Sequence, residues 1–161
     1  MKIKEFVEKY TKAQEKQEFV EKHIKNNYIP YLTKCVYCDK IIKASSTISN
    51  GDVIKINSAS QYVAFVMRLI DLYTDLEVDF KNAEFVNQYD SLAEVGAIIR
   101  IMNAISEQEY SEFKMILDCK NNDFRENEYS LTAFLYNFKK SLNITEETIN
   151  TALEQVIKQV K

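Results

Sequence analysis

The sequence predicts an all-α, single-domain protein over residues 1–161, with room for one small β-hairpin near residues 47–57. Three observations carry this expectation. Glycine occurs twice (Gly51, Gly96) and proline once (Pro30), too few for the many tight turns of an all-β chain. Apolar residues make up 46% and charged residues 28%, ordinary usage for a globular chain long enough to bury one core. Apolar side chains also recur at helical spacing through most of the length.

Ile3, Phe6, Val7 and Tyr10 fall at i, i+3, i+4 and i+7 and predict a first helix over residues 2–13. Phe19, Val20, His23 and Ile24 repeat the pattern in a short second helix that ends at Asn26-Asn27. Pro30 disfavours helical backbone at Ile29 and suits the first turn of a third helix, marked by Leu32, Cys35, Val36, Asp39 and Ile42 and reaching Ala44. Asn50-Gly51 between β-branched residues favours a tight hairpin turn, with a plain loop as the competing reading. A fourth helix over residues 60–74, capped by Ser58 or Ser60, is apolar almost all round and therefore central. Arg68 is its main interruption, expected to snorkel or to pair with an acid.

After Thr74 acidic and apolar residues alternate to Phe80, which predicts an extended connector. Leu92, Val95, Ile98, Ile99, Met102 and Ile105 form one further stripe. Ser106-x-x-Glu109 has capping-box spacing and opens a long helix toward residue 139, with Asn121-Asn122-Asp123 as a place to kink or split it. Asn143 or Thr145 caps a last helix with the face Ile149, Leu153, Val156, Ile157 and Val160.

No apolar run is long enough for a membrane span, and the opening Met1-Lys2-Ile3-Lys4-Glu5 lacks the apolar core of a signal peptide, so a cytoplasmic protein is expected. Three cysteines, an odd count, argue against a disulfide framework. The net charge of −3 conceals an asymmetry: residues 1–48 carry ten Lys against six acids, and residues 49–161 carry eleven Lys+Arg against eighteen acids. Asp71, Asp75, Glu77, Asp79, Glu84, Asp90 and Glu94 are opposed only by Lys81 within residues 71–94. The bland reading of such a run is a solvated helix surface; the functional reading is a contact surface for a basic partner.

The glycine pair excludes a Walker loop, a dinucleotide-binding turn and a nucleophile elbow. His23 is the only histidine and reads as a partly buried helix-face residue. Cys35-Val36-Tyr37-Cys38 has zinc-ligand spacing, with Cys119 and His23 as the remaining ligands of a structural site, but it lies inside an amphipathic helix, where ordinary cysteines are the simpler reading. Asp71 and Asp75 are four apart and Glu109 and Glu112 three apart; such pairs on facing helices can hold Mg²⁺ in phosphohydrolases. The second acidic motif expected of an all-α nucleotide pyrophosphatase is absent, because Asp118, Asp123, Glu126 and Glu128 have the wrong spacing. Tyr28, Tyr31, Tyr37 and Tyr129 are the aromatic residues least clearly inward.

Tyr62-Val63-Ala64-Phe65 through Leu69-Ile70-Asp71-Leu72-Tyr73-Thr74-Asp75-Leu76-Glu77-Val78-Asp79 resembles an element that recurs in short proteins encoded by phages and prophages of Gram-positive bacteria. Tyr110-Ser111-Glu112-Phe113 through Asp118, with Asp123-Phe124 and Asn127-Glu128-Tyr129, is similar to a second shared segment. Lys4-Glu5-Phe6-Val7-Glu8-Lys9-Tyr10 and the Tyr28-Ile29-Pro30-Tyr31 turn are similar too, so the likeness spans most of the chain. It implies a phage-type setting and no catalytic residues, and the cysteine pair is not part of the pattern.

The expected role is a non-enzymatic accessory protein without a cofactor that binds another protein, either a virion component during assembly or a host factor being blocked. Asp71, Asp75, Glu77, Asp79 and Glu84 are the candidate contact residues. Two alternatives stand beside it: a Mg²⁺-dependent nucleotide or nucleic-acid hydrolase using Asp71, Asp75, Glu109 and Glu112, and a DNA-binding role for the basic N-terminal helices.

Overall fold

A computed structural model describes residues 1–49, 53–81 and 84–129. The described residues form seven helices and two short strands. By contact the chain divides into a first unit, Met1–Thr47 with Lys55–Asn121, and a second, Ile48–Ile54 with Asn122–Lys161. The expectation of one domain over 1–161 and the last expected helix, 143–160, extend into residues outside the described ones.

The first unit opens with α1 (Ile3–Lys12), which buries Ile3, Phe6 and Tyr10, the stripe expected of it. Glu5 in its first turn and Lys9 and Lys12 in its last suit the helix dipole. The next helix, α2 (Lys16–Glu21), is short, and His23 and Ile24 lie in the turn beyond it, not on the helix as expected.

Pro30 stands at the N-cap of α3 (Tyr31–Ser45). This helix buries Lys34, Cys38, Ile41, Ile42 and Ser45, so its inward face is rotated from the expected one. Leu32 is 75% exposed and Val36 51%. The physical reason is a lysine that belongs to the interior, which inverts the apolar pattern used to choose the face.

The expected hairpin is present as paired strands, β1 (Ser46–Ser49) and β2 (Val53–Ile56). The Asn50-Gly51 turn lies outside the described residues. At the open end of the pair, Asn57 N–H donates to the Ser45 carbonyl at 2.8 Å.

The central helix is α4 (Ser58–Tyr73), with Ala64, Phe65, Val66, Met67, Leu69, Ile70, Leu72 and Tyr73 buried. Its cap is Asn57, whose side-chain oxygen accepts from Ser60 N–H at 3.1 Å, and not Ser58 or Ser60. Thr74 ends the helix in extended backbone, so Asp71 lies on it and Asp75 beyond it. The following connector is extended as expected. It forms an antiparallel bridge between Thr74 and Ile24 and a parallel one between Glu77 and Lys2. Asp75 N–H donates to the His23 carbonyl at 2.9 Å, and Glu77 N–H to the Met1 carbonyl at 2.8 Å.

The single stripe expected over residues 92–105 belongs to two helices, α5 (Glu84–Glu94) and α6 (Ala97–Ala104). The break is Gly96, at φ 69°, a left-handed conformation that side chains disfavour. An added Cβ would meet nothing within 4 Å, so the cost of a substitution is in the backbone. Gly96→Ala is expected to cost about 1 kcal/mol, read as a lower urea midpoint at unchanged slope.

The last described helix, α7 (Glu107–Tyr129), runs without interruption through Asn121-Asn122-Asp123. Its expected continuation to residue 139 lies outside the described residues. The core that joins α1, α2, α4, α5 and α6 includes Phe6, Tyr10, Val20, Met67, Ile70, Leu76, Leu92 and Ile101. Phe113 of α7 packs edge-on to Phe65 of α4 at 5.8 Å.

Candidate functional site

The connector, α1 and α5 together form an open groove of about 880 Å³. Its apolar lining is Ile3, Val7 and Val78; its charged lining is Lys2, Lys4 and Lys81 with Glu8, Glu77, Asp79 and Glu84. The walls are fixed by local chemistry. Lys2 and Glu77 are adjacent through their backbone bridge. Asp79 Oδ1 accepts from Lys81 N–H at 2.8 Å, and Asp79 N–H donates to Gln88 Oε1 at 3.0 Å, which ties the connector to α5. Among the described residues none of Lys2, Lys4, Lys81, Glu8, Asp79 or Glu84 is in an ion pair. Their charges are therefore open to a ligand. A second depression, about 470 Å³, lies where α6 meets α7 and has Glu107 as its one charged lining residue.

The five candidate contact residues separate into two sets. Glu77, Asp79 and Glu84 share the groove, interleaved with lysines and not forming a uniformly acidic face. Asp71 and Asp75 are used elsewhere. Asp71 lies 3.8 Å from the Arg68 guanidinium. Burial pushes its carboxyl above the ordinary value, against the charges of Arg68, Lys25 and Lys40. Asp75 receives His23 Nδ1 at 3.0 Å, and the His23 ring lies edge-on between Phe6 and Phe19, at 5.4 and 4.8 Å.

Glu109 and Glu112 belong to a buried network that spacing alone did not reveal. The Lys34 ammonium, fully buried, lies 3.0 Å from Glu109 and 2.6 Å from Glu112. Glu109 Oε2 also accepts from Tyr73 Oη at 2.7 Å and from Ile29 N–H at 3.0 Å. One carboxylate thus joins α3, α4, α7 and the chain ahead of Pro30. Burial alone would raise the Glu109 carboxyl, but the hydrogen bonds from Tyr73, Lys34 and Ile29 hold it below the ordinary value. Burial likewise pushes the Tyr73 phenol up, and its bond to Glu109 adds to this. Only half of the expected capping box is made: Glu109 N–H donates to Ser106 Oγ at 3.2 Å, while its carboxylate is turned into the network.

Cys38 is buried, Cys35 half-buried and Cys119 exposed. Burial pushes the Cys38 thiol up to about 12, so it stays protonated at neutral pH. His23 is held by Asp75 on the α1–α2 side. Among the described residues no three His, Cys, Asp or Glu side chains come together as a metal-binding group. No described helix is long and apolar enough to cross a membrane. Tyr28, at 65% exposure, and Tyr31, at 57%, are outward, as their sequence context suggested. Comparison with protein-family models, with curated proteins and with solved structures finds no match for this chain.

Proposed function

We propose that this chain is a non-catalytic binding protein whose groove between α1, the connector and α5 receives an extended segment of another protein. The observation that carries the reading is the convergence there of unpaired charges of both signs over an apolar lining. A segment with apolar side chains between charges of both signs matches that lining, and register follows from charge complementarity. The phage-type setting implied by the resemblance makes a virion component or a host factor the partner class.

Affinity capture from lysogenic cells tests this with three baits: the wild-type chain, Lys4→Glu/Glu84→Lys, and Lys114→Glu as an exposed control outside the groove. A protein held by the wild type and the control, and lost with the groove variant, is the expected result. Equal capture by all three baits overturns it.

The hydrolase alternative needs Asp71, Asp75, Glu109 and Glu112 to act together. Glu109 and Glu112 share Lys34, whereas Asp71 is beside Arg68 and Asp75 holds His23. Millimolar Mg²⁺ is expected to leave the melting temperature unchanged; a rise of several degrees would favour the hydrolase. DNA binding through residues 1–48 would appear as a salt-dependent gel shift, and none is expected at physiological salt.

A further inference from the structure

Outside the groove lining, the charges of three cations act on one carboxylate, that of Asp71. Arg68 of α4 lies over the Phe80 ring, its guanidinium carbon 3.3 Å from the centroid and 5.4 Å from that of Tyr37. Lys40 of α3 sits over the same Tyr37 ring at 4.5 Å. Lys25 Nζ donates to the Asp71 backbone carbonyl at 3.0 Å. Asp71 is the acid facing this group, and its contact with Arg68, at 3.8 Å, is longer than a hydrogen bond. Asp39, one residue before Lys40, is taken by Lys120 at 2.6 Å.

The cluster therefore carries three positive charges against one negative. The aromatic rings hold the Arg68 guanidinium in place, while its N–H groups make no hydrogen bond among the described residues. A positioned guanidinium beside ammonium groups is the chemistry that recognises phosphate oxygens. We propose that Arg68, Lys40 and Lys25, held around Asp71 by Tyr37 and Phe80, form a binding site for a phosphate dianion. Two net positive charges match that ion, and Asp71 acts as the internal competitor that holds the cations together when the site is empty.

Calorimetric titration of the full chain at low salt, with inorganic phosphate in one arm and phenyl phosphate in the other, tests the proposal. Saturable binding is expected in at least one arm. Lys40→Met, at an exposed position, is expected to weaken it about fivefold, the worth of one charge near contact in water. Arg68→Lys is expected to weaken it about tenfold by removing the forked donor. Asp71→Asn should tighten it about fivefold, a sign that a merely structural aspartate would not give. Tighter binding of phenyl phosphate identifies a monoester as the source, and equal or weaker binding identifies free phosphate. No saturable heat in either arm, or an Asp71→Asn variant that binds no more tightly than wild type, overturns the proposal.

Discussion

Lys34→Met is expected to lower the unfolding free energy by about 3–5 kcal/mol, the usual cost of removing one partner from a buried ion pair. The variant leaves Glu109, 5% exposed, without its countercharge, and Tyr73 and the Ile29 N–H cannot neutralise it. Most of the loss should therefore be the penalty of an orphaned charge, so adding Glu109→Gln to Lys34→Met is expected to recover a large part of it. A Lys34→Met variant within about 1 kcal/mol of wild type in urea would show that the network contributes little.

The same network predicts a pH profile. The Glu109 carboxyl is held below 4.5 in the folded chain, so its contribution is full above that value and is lost as pH falls through the folded value. Burial opposes the charge on Lys34, but its bonds to Glu112 and Glu109 win and raise it above 10.5. Its contribution is full below that value and is lost as pH rises through the folded value. The double variant should therefore lose less stability than wild type between neutral and acid pH, measured as urea midpoints against pH.

Why this network was illegible in the sequence is a matter of what periodicity can report. Lys34 has the sequence signature of a surface residue, and choosing the α3 face by apolar count placed Leu32 and Val36 inward. Burial of a lysine is decided by carboxylates distant in sequence, at Glu109 and Glu112, which no local pattern encodes. Glu109 was legible as a helix-start residue, and its N–H does bind Ser106, but the carboxylate had a stronger partner. The all-round apolar character of α4, by contrast, required no partner to be read, because eight buried side chains in one helix leave little other placement. The stripe from Leu92 to Ile105 was legible as helix but not as two helices. Both helices present their apolar side chains to the same core, and a single left-handed glycine redirects the chain between them. Within the acidic run, side-chain type could not tell Glu77, Asp79 and Glu84, which line the groove, from Asp71 and Asp75, which do not. The interleaved Lys2 and Lys4 come from the far end of the chain and could not be seen beside them.

Phe6→Ala is expected to cost about 3–5 kcal/mol, the range for emptying a fully buried aromatic site. Phe6 is completely buried on α1, with Tyr10, Phe19 and His23 around it at 5.8, 5.4 and 5.4 Å. By filling that volume the ring backs the edge of His23, whose Nδ1 in turn holds Asp75 two residues ahead of the groove residue Glu77. Removing it should loosen α1 against the connector, and with it the spacing of Lys2 and Lys4 from Glu77 and Asp79 across the groove. Phe6→Leu keeps most of the volume and is expected to cost about 1–1.5 kcal/mol while preserving the groove. The ordering Ala well above Leu, in urea midpoints and in loss of a groove-bound partner alike, would establish that the volume filled at position 6 sets the groove. A Phe6→Ala variant that unfolds more easily yet captures the same partner equally well would show that α1 contributes stability alone.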